Sequence, residues 1–284
     1  MTFYKYHGAG NDFLVADGRS SRIDLTSDGI AALCDRHTGF GADGVMILSE
    51  SEGHDFRMDY YNSDGSGGMM CGNGGRCIVA FAADLGFRSF DFEAPDGPHS
   101  AELLSGEARP FSHEARIVRL KMKDVSSAAA YENRPGGEPD LFLDTGTRHV
   151  VRFVDKVNDI DVVGEGRVLR YSPDFAPVGA NVNFVQVNAD GSITVRTYEK
   201  GVEDETLACG TGIVASAMAT WFAHKRHEQG KIVSIPVHAR ISDLSVSFRP
   251  SDVACESSAP ASFSASAVYL TGPAVFVGKV IADL

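Results

Sequence analysis

Two cysteines stand in the same short pattern, each at the start of an apolar segment. Cys71-Gly72-Asn73-Gly74 precedes the apolar run from Cys77 to Ala83, and Cys209-Gly210-Thr211-Gly212 precedes the run from Ile213 to Ala223. Such runs predict buried helices, because they leave no polar face for water, and they are too short to span a membrane. A cysteine at a helix start lies near unpaired backbone N–H groups and the positive end of the helix dipole. Both features favour a thiolate and can hold an anion.

The pattern belongs to a longer internal repeat. The two cysteines are 138 positions apart (209 − 71), and other identical residues keep this offset. These are Gly8 and Gly146, Asp17 and Asp155, Tyr60 and Tyr198, Gly72 and Gly210, and Gly74 and Gly212. A shared CGxG before an apolar helix is harder to obtain by chance than single matches, so the sequence predicts two copies of one unit.

Two such units would bring the cysteines to face each other across a cleft, with one carboxylate held between the helix starts. A thiolate and a thiol on opposite faces of a Cα form a base and an acid of similar strength, each near the ordinary cysteine pKa of about 8.5. This arrangement inverts a stereocentre, because one cysteine removes the α-proton and the other delivers a proton from the opposite side. No lysine stands in a pyridoxal-type motif and the cysteine spacings do not suit zinc, so we expect no cofactor and no metal. Cys34, Cys77 and Cys255 are predicted to be packing residues.

The composition indicates a soluble globular protein. The chain has 284 residues, 43% of them hydrophobic and 23% charged, with a formal net charge of −12. The length favours two domains, and the absence of a Lys/Arg cluster argues against nucleic acid as a partner. Met1-Thr2-Phe3 leads directly into a strand-like segment, so no secretory signal is predicted. An odd number of cysteines without such a signal predicts reduced thiols, a cytoplasmic location and no membrane association.

Strand-like segments outnumber helical ones and lack regular βαβ alternation. The predicted fold class is α/β, of α+β type, with two pseudo-symmetric domains that each wrap a mixed sheet or barrel around a central helix. The first domain is predicted over residues 1–113 plus about 272–284, and the second over 114–271. Two strands near 268–270 and 274–281 would return to the first domain, and the Ser/Ala-rich segment 251–266 is predicted to be an exposed loop.

The motifs together resemble those of the diaminopimelate epimerase family. They are HGAGNDF (7–13), YNSDGS (61–66), MCGNGGRC (70–77), the turn from Gly146 to His149, NVNF (181–184) and YEKG with ETLACGTG (198–212). These motifs are spread along the chain from residue 7 to residue 212. The resemblance implies cofactor-independent interconversion of LL- and meso-diaminopimelate in lysine and peptidoglycan biosynthesis. It also implies two similar domains, with the last strand completing the first.

The resemblance also assigns roles to individual positions. Cys71 and Cys209 match the catalytic cysteines, and His149 matches a histidine beside them. The implied substrate contacts are Asn11, Asn62, Asn181, Glu199 and Lys200, with Gly72, Asn73, Gly210 and Thr211 as the backbone cradle of the reacting carboxylate. The chain departs from the family at Thr147, where asparagine is usual, at Arg148, where proline is usual, and at Lys200, where arginine is usual. Thr147 and Arg148 are therefore candidate substrate contacts.

Alternatives stay open for several of these positions. His149 could serve a structural hydrogen bond, Asn11 and Asn62 could stabilise turns, and Glu199 could be a solvated strand end. The expected partner is a small amino acid, and a homodimer is a candidate assembly. Two other functions are also considered. One is a related cofactor-independent racemase acting on a different amino acid, such as histidine or proline. The other is a non-catalytic carboxylate-binding or redox thiol protein on the same scaffold.

Overall fold

The computed structural model describes residues 1–21, 23–104, 109–125, 128–131, 138–224, 231–251 and 264–282. The chain forms two compact units, one of Met1–Lys121 with Thr271–Leu284 and one of Met122–Leu270. Most of the predicted exposed loop 251–266 lies outside the described residues. In the described parts of the chain, no helix has the length and apolar character needed to cross a membrane.

Unit 1 is a closed barrel of eight strands around one helix. The helix, α2 (Gly72–Asp84), is buried along its whole length. A shorter helix, α1 (Ser27–Cys34), begins after the N-cap Thr26, whose side chain accepts a hydrogen bond from Gly29 N. The strands are β1 (Thr2–Gly8), β2 (Asn11–Asp17), β3 (Gly44–Ser49), β4 (Phe56–Asn62), β5 (Asp91–Ala94), β6 (Gly97–Leu103), β7 (Arg116–Lys121) and the last strand of the chain, β16 (Ala265–Ile281).

The strands of unit 1 are neighbours in chain order from β1 to β7, then β16, and the pairing of β16 with β1 closes the barrel. β1 and β2 form a hairpin in which Gly8 pairs with Asn11. The turn between them needs a left-handed backbone at Gly10 (φ 90°) and also at Ala9 (φ 56°). Glycine adopts this backbone conformation without the steric cost that other residues have. The turn leads directly to Asn11 at the start of β2.

Unit 2 repeats this plan with a sheet around helix α4 (Gly210–His224), which is apolar and almost completely buried. The sheet runs in the order β16, β15, β14, β12, β11, β10, β9, β8, with β13 paired to β12. A second helix, α3 (Val162–Arg170), packs on β11 and β12. The other strands are β8 (Ala128–Tyr131), β9 (Asp140–Asp144), β10 (Arg148–Phe153), β11 (Asn181–Val187), β12 (Ile193–Glu199), β13 (Asp204–Thr206), β14 (Val233–His238) and β15 (Asp243–Pro250).

The predicted fold class is confirmed, since each unit wraps a mixed sheet around one central helix. The sequence did not indicate α3, because two of its nine residues are glycines, which are weak helix formers. Gly166 is required there by close packing, since a Cβ at this position would lie 2.5 Å from the Cβ of Tyr198.

The end of the chain differs from the prediction of two separate strands. β16 is one strand of 17 residues that passes through Gly272 and Pro273. Proline cannot donate a backbone hydrogen bond within a sheet because it has no N–H, but its carbonyl can still accept one. The carbonyl of Pro273 accepts a hydrogen bond from Arg76 Nε at 3.4 Å. β16 contributes residues 265–270 to unit 2 and 271–281 to unit 1. β7, expected in the second domain, lies in unit 1, where it pairs with β6 and packs on α2.

Candidate active site

Cys71 is the N-cap residue of α2. Its backbone is extended, and its Sγ accepts a hydrogen bond from Gly74 N at 3.2 Å. The sulfur therefore takes the position that an N-cap oxygen usually occupies, next to the unpaired N–H groups of the first turn. A thiolate accepts such bonds more strongly than a thiol does, so this position favours ionisation of Cys71.

A chain of polar side chains runs from α2 to β2 in unit 1. Arg76 Nη2 donates to Asn73 Oδ1 at 2.9 Å, Asn73 Nδ2 donates to Asn11 Oδ1 at 3.3 Å, and Asn11 Nδ2 donates to Asp43 Oδ2 at 2.6 Å. A guanidinium can only donate and a carboxylate can only accept, so the two ends fix the orientation of both amides between them. Asn11 is thereby held with its side-chain oxygen towards α2 and its side-chain nitrogen towards Asp43.

Cys209 directly precedes α4 and is 7% exposed. Its Sγ lies 3.5 Å from Thr211 Oγ1, which in turn lies 2.9 Å from His149 Nε2. On the other side of the imidazole ring, Asn183 Nδ2 is 3.1 Å from His149 Nδ1. A continuous row of hydrogen-bonding groups thus leads from the buried strand β11 to the sulfur of Cys209.

The partners of Asn183 fix the proton position on His149. The carbonyl of Val150 can only accept, and it lies 3.1 Å from Asn183 Nδ2, while Thr197 Oγ1 donates to Asn183 Oδ1 at 3.0 Å. The Asn183 amide therefore donates to His149 Nδ1, so Nε2 carries the ring proton and donates to a threonine hydroxyl. The hydroxyl hydrogen of Thr211 is then available to the sulfur of Cys209.

His149 is fully buried, and this burial lowers its pKa to about 3. The imidazole is therefore neutral at physiological pH, and its hydrogen-bond partners among the described residues are the hydroxyls of Thr147 and Thr211 and the amide of Asn183. A neutral ring with a fixed tautomer is suited to orienting hydroxyl groups. Thr147, which is exposed, joins the same cluster through Oγ1, 2.9 Å from His149 Nε2 and 3.0 Å from Thr211 Oγ1.

One hydrogen bond beside each cysteine recurs at the offset of 138. In each unit, the side chain two residues after the cysteine bonds to a residue at the start of a hairpin strand. In unit 1 this contact joins Asn73 and Asn11, and in unit 2 it joins Thr211 and His149. The internal repeat of the sequence thus corresponds to a repeated hydrogen bond.

The remaining implied substrate contacts have defined places. Asn181 is buried and connects two turns, since its Nδ2 donates to Arg148 O at 3.0 Å and its Oδ1 accepts from Lys200 N at 2.8 Å. Glu199 Oε2 accepts from Thr206 Oγ1 at 2.7 Å. The side chains of Arg148 and Lys200 are both exposed. Gly72 and Gly210 are the buried first residues of α2 and α4.

Asn62, at the end of β4, bonds within its own turn. Its Nδ2 lies 3.0 Å from Ser66 Oγ and 3.4 Å from Gly67 O. Among the described residues, no group of three or more His, Cys, Asp or Glu side chains is arranged to hold a metal ion.

Sequence reasoning assigned no role to Asn183, Asp43 or Arg76, although all three belong to these networks. Asn183 carried a usable signal, because it stands two positions after Asn181 and so shares a face of the same strand. Arg76 carried another signal, a charged residue directly before the apolar run from Cys77 to Ala83.

Comparisons with known proteins agree with these features. The model of the diaminopimelate epimerase family matches residues 3–111 and 141–246. A diaminopimelate epimerase of Flavobacterium psychrophilum is 38% identical over 280 residues, covering 98% of this chain and 98% of the relative. One from Chlorobaculum tepidum is 41% identical over 245 residues, covering 82% of this chain and 86% of the relative.

A solved structure shares the fold. The phenazine biosynthesis protein of the PhzF family from Bacillus anthracis superposes with a TM-score of 0.71 at 14% identity, covering 100% of this chain and 99% of that one. At this identity the likeness shows the fold alone. The family match and the two relatives show the family as well. This chain belongs to the diaminopimelate epimerase family.

Proposed function

We propose that this chain interconverts LL- and meso-diaminopimelate by a two-base mechanism in which Cys71 and Cys209 act on opposite faces of the substrate Cα. The observation that carries the proposal is the matched placement of the two cysteines. Each lies at the start of a buried helix, and each lies beside a hydrogen bond that has its equivalent 138 positions away in the other unit. The mechanism requires the two units to bring both sulfurs within reach of one Cα.

In the forward step, the thiolate of one cysteine removes the α-proton. The electron pair of the broken C–H bond moves into the substrate carboxylate, which gains negative charge as the Cα becomes planar. The N–H groups at the first turns of α2 and α4, at Gly72, Asn73, Gly210 and Thr211, are proposed to hold this charge. The thiol of the other cysteine then delivers its proton to the opposite face, so the two cysteines exchange protonation states.

The proposal gives the remaining residues supporting roles. Asn11, Asn62, Asn181 and Glu199 would bind the parts of the substrate that do not react. Lys200 would bind the distal carboxylate with its exposed ammonium group, with Thr147 and Arg148 as further candidate contacts. His149 would act through Thr211, since burial keeps its ring neutral.

The substrate in this proposal is a small amino acid and the product serves lysine and peptidoglycan-precursor synthesis. A cytoplasmic location and a homodimeric assembly belong to the same proposal. A second candidate, a racemase of another amino acid, is favoured by the departures at Thr147, Arg148 and Lys200, because a lysine cannot reproduce the bidentate contact of the usual arginine with a distal carboxylate.

The test is NMR of LL-diaminopimelate in deuterated water with the purified protein and no added cofactor, beside a panel of single amino acids. We expect the Cα–H signal to disappear and the meso isomer to form. Exchange with L-proline or L-histidine but not with diaminopimelate would support the second candidate. No exchange with any of these compounds would contradict both and leave a carboxylate-binding or redox role. The double variant Cys71→Ala with Cys209→Ala is the control for exchange that is independent of the site.

A further inference from the structure

Arg76 is a buried arginine without a carboxylate partner among the described residues. Its side chain is 0% exposed, and its hydrogen bonds all go to neutral oxygens. Nη1 donates to Gly72 O at 3.0 Å, Nη2 to Asn73 Oδ1 at 2.9 Å and Nε to Pro273 O at 3.4 Å. An isolated charge in the interior is costly unless an anion offsets it. In contrast, the buried Arg116 pairs with Asp84, and the partly buried Arg152 pairs with the buried Asp140.

The sulfur of Cys71 is the group best placed to supply that anion. Two of the hydrogen-bond partners of Arg76, Gly72 and Asn73, directly follow Cys71, and the Cys71 sulfur is held on the same helical turn by Gly74 N. Burial lowers the pKa of the Arg76 guanidinium, and a negative charge on Cys77 or on Cys71 would act in the opposite direction and raise it.

Cys77 is excluded as the anion by its surroundings. It is 0% exposed, and burial raises the pKa of its thiol far above the ordinary value, so it stays protonated. Cys71 is only half-buried and already accepts a backbone hydrogen bond. Arginine itself stays charged in proteins, because its pKa is well above any physiological pH.

Other charged groups near α2 are engaged elsewhere. Arg116, from β7, bonds to Asp84 at the far end of the helix together with Tyr6 of β1. His7 of β1 has its pKa lowered by burial, which favours the neutral ring. β3 carries no titratable side chain. Most of the remaining groups on the strands packed against α2 have ionic partners, namely Lys5 with Asp12, Asp12 with Arg36, Asp17 with Arg19, His99 with Asp96 and Glu102 with Arg119. Tyr4 of β1 and Lys121 of β7 also lie on these strands.

Unit 2 has no equivalent cation at this point. The fifth residue after Cys71 is Arg76, whereas the fifth residue after Cys209 is Val214, which is buried and apolar. The polar neighbours of Cys209 include the hydroxyl of Thr211 and, behind it, the neutral ring of His149. The two cysteines therefore share a helix start but differ five residues further on, where the first helix has a guanidinium and the second an apolar side chain.

We propose that the buried guanidinium of Arg76 is the counter-charge of the Cys71 thiolate, so that Cys71 rather than Cys209 is the ionised cysteine of the resting protein. This inference rests on the proposed function, under which one cysteine must start as base and the other as acid. Arg76 is a positioning residue, because it acts through Cys71 and does not touch the substrate.

The first measurement uses the wild-type protein. It is alkylated with iodoacetamide across a range of pH in a phosphine reductant, and peptide mass spectrometry gives the rate at each cysteine separately. Because alkylation follows the thiolate fraction, the midpoint of each rate profile reports the pKa of that thiol. We expect the midpoint at Cys71 to lie at least about one pH unit below that at Cys209, the lower range for an adjacent opposite charge. A lower midpoint at Cys209 would overturn the inference.

The second measurement compares Arg76→Met, which removes the charge at similar length, with Arg76→Lys, which keeps it. Arg76→Met should raise the Cys71 midpoint by about one pH unit or more and leave the Cys209 midpoint unchanged, whereas Arg76→Lys should stay close to wild type at both. Circular dichroism confirms that each variant is folded. A folded Arg76→Met protein with an unchanged Cys71 midpoint would also overturn the inference, and if this variant does not fold, the wild-type comparison decides.

The alkylation result is independent of turnover, which keeps the two proposals separable. A low Cys71 midpoint in a protein that exchanges no substrate proton would contradict the proposed function and leave the inference standing. Proton exchange with diaminopimelate in a protein whose Cys209 has the lower midpoint would support the proposed function and contradict the inference about Arg76.

Discussion

His149 Nε2 lies 2.9 Å from Thr211 Oγ1, and this contact determines where the Thr211 hydroxyl can donate. The ring proton is on Nε2, because Asn183 donates to Nδ1. Thr211 cannot donate back to the ring, so its hydrogen is available to the sulfur of Cys209 at 3.5 Å or to Thr147 Oγ1 at 3.0 Å. A buried, neutral histidine can in this way stabilise a thiolate that it does not contact.

Removal of the Thr211 hydroxyl tests this arrangement. Thr211→Val keeps the shape of the side chain but leaves a Cys209 thiolate without its hydroxyl donor. A hydrogen bond to a charged group contributes about 1.5–3 kcal/mol, so we expect kcat to fall by roughly 10- to 100-fold. Steady-state kinetics on LL-diaminopimelate measures the change. Thr211→Ser, which retains a hydroxyl, should recover much of the loss, and a Val variant within twofold of wild type would contradict the role.

The burial of His149 should also make the free energy of unfolding depend on pH. Burial lowers its pKa from 6.5 to about 3, so between these values the unfolded chain binds a proton that the folded chain does not. Stability should therefore fall as the pH drops below 6.5, by up to about 1.4 kcal/mol per pH unit from this residue. Urea unfolding between pH 6.5 and 4.5 measures the slope.

The matched variant for that experiment is His149→Gln, which cannot titrate but can still donate a hydrogen bond. Its stability should depend less steeply on pH than that of the wild type over the same interval, because the acidic groups common to both proteins remain. Equal slopes would mean that His149 titrates alike in the folded and unfolded states.

Lys200 and Arg148 provide a prediction for the distal carboxylate. Their side chains are both exposed, and Asn181 ties together the two turns that carry them. If Lys200 binds the carboxylate, Lys200→Ala should raise KM roughly 10-fold or more, as expected for the loss of a charge-assisted hydrogen bond of about 1.5–3 kcal/mol. The measurement is KM for LL-diaminopimelate.

The Arg148→Pro variant introduces the residue that is usual in the family at this position. It separates the contribution of Arg148 to carboxylate binding from that of Lys200. A carboxylate-binding Arg148 predicts a KM rise of about 10-fold, equivalent to about 1.4 kcal/mol, with partial recovery when Lys200→Arg is added. A KM within twofold of wild type would show that Arg148 is a solvated turn residue.

The local pattern of the chain was sufficient to predict where the central helices begin. Each CGxG stands before an apolar run, and α2 and α4 begin at Gly72 and Gly210. The contact between Asn183 and His149 could not be predicted from the sequence. It depends on the parallel register in which His149 pairs with Asn181, and no local pattern encodes that pairing. Arg76 was missed for a similar reason, since its burial depends on eight strands closing around α2.

Single replacements of the two cysteines test their roles separately. Cys71→Ala and Cys209→Ala should each lower the rate of epimerisation by about 10²- to 10⁴-fold, the usual contribution of one general acid or base. Substrate should also slow alkylation of both cysteines in the wild-type protein. Near-full activity in either variant would refute the assignment of that cysteine.

The central claim is that one cysteine removes the proton and a different one delivers it. Mass spectrometry of the first turnovers of LL-diaminopimelate in deuterated water tests this claim most directly, with the product and the unreacted substrate separated before analysis. Because the delivering thiol has exchanged with solvent, we expect the meso product to carry one deuterium at the inverted Cα while the remaining LL substrate still carries protium. Deuterium that appears in the LL substrate as fast as in the product, or a product that retains the original hydrogen, would contradict the two-cysteine mechanism.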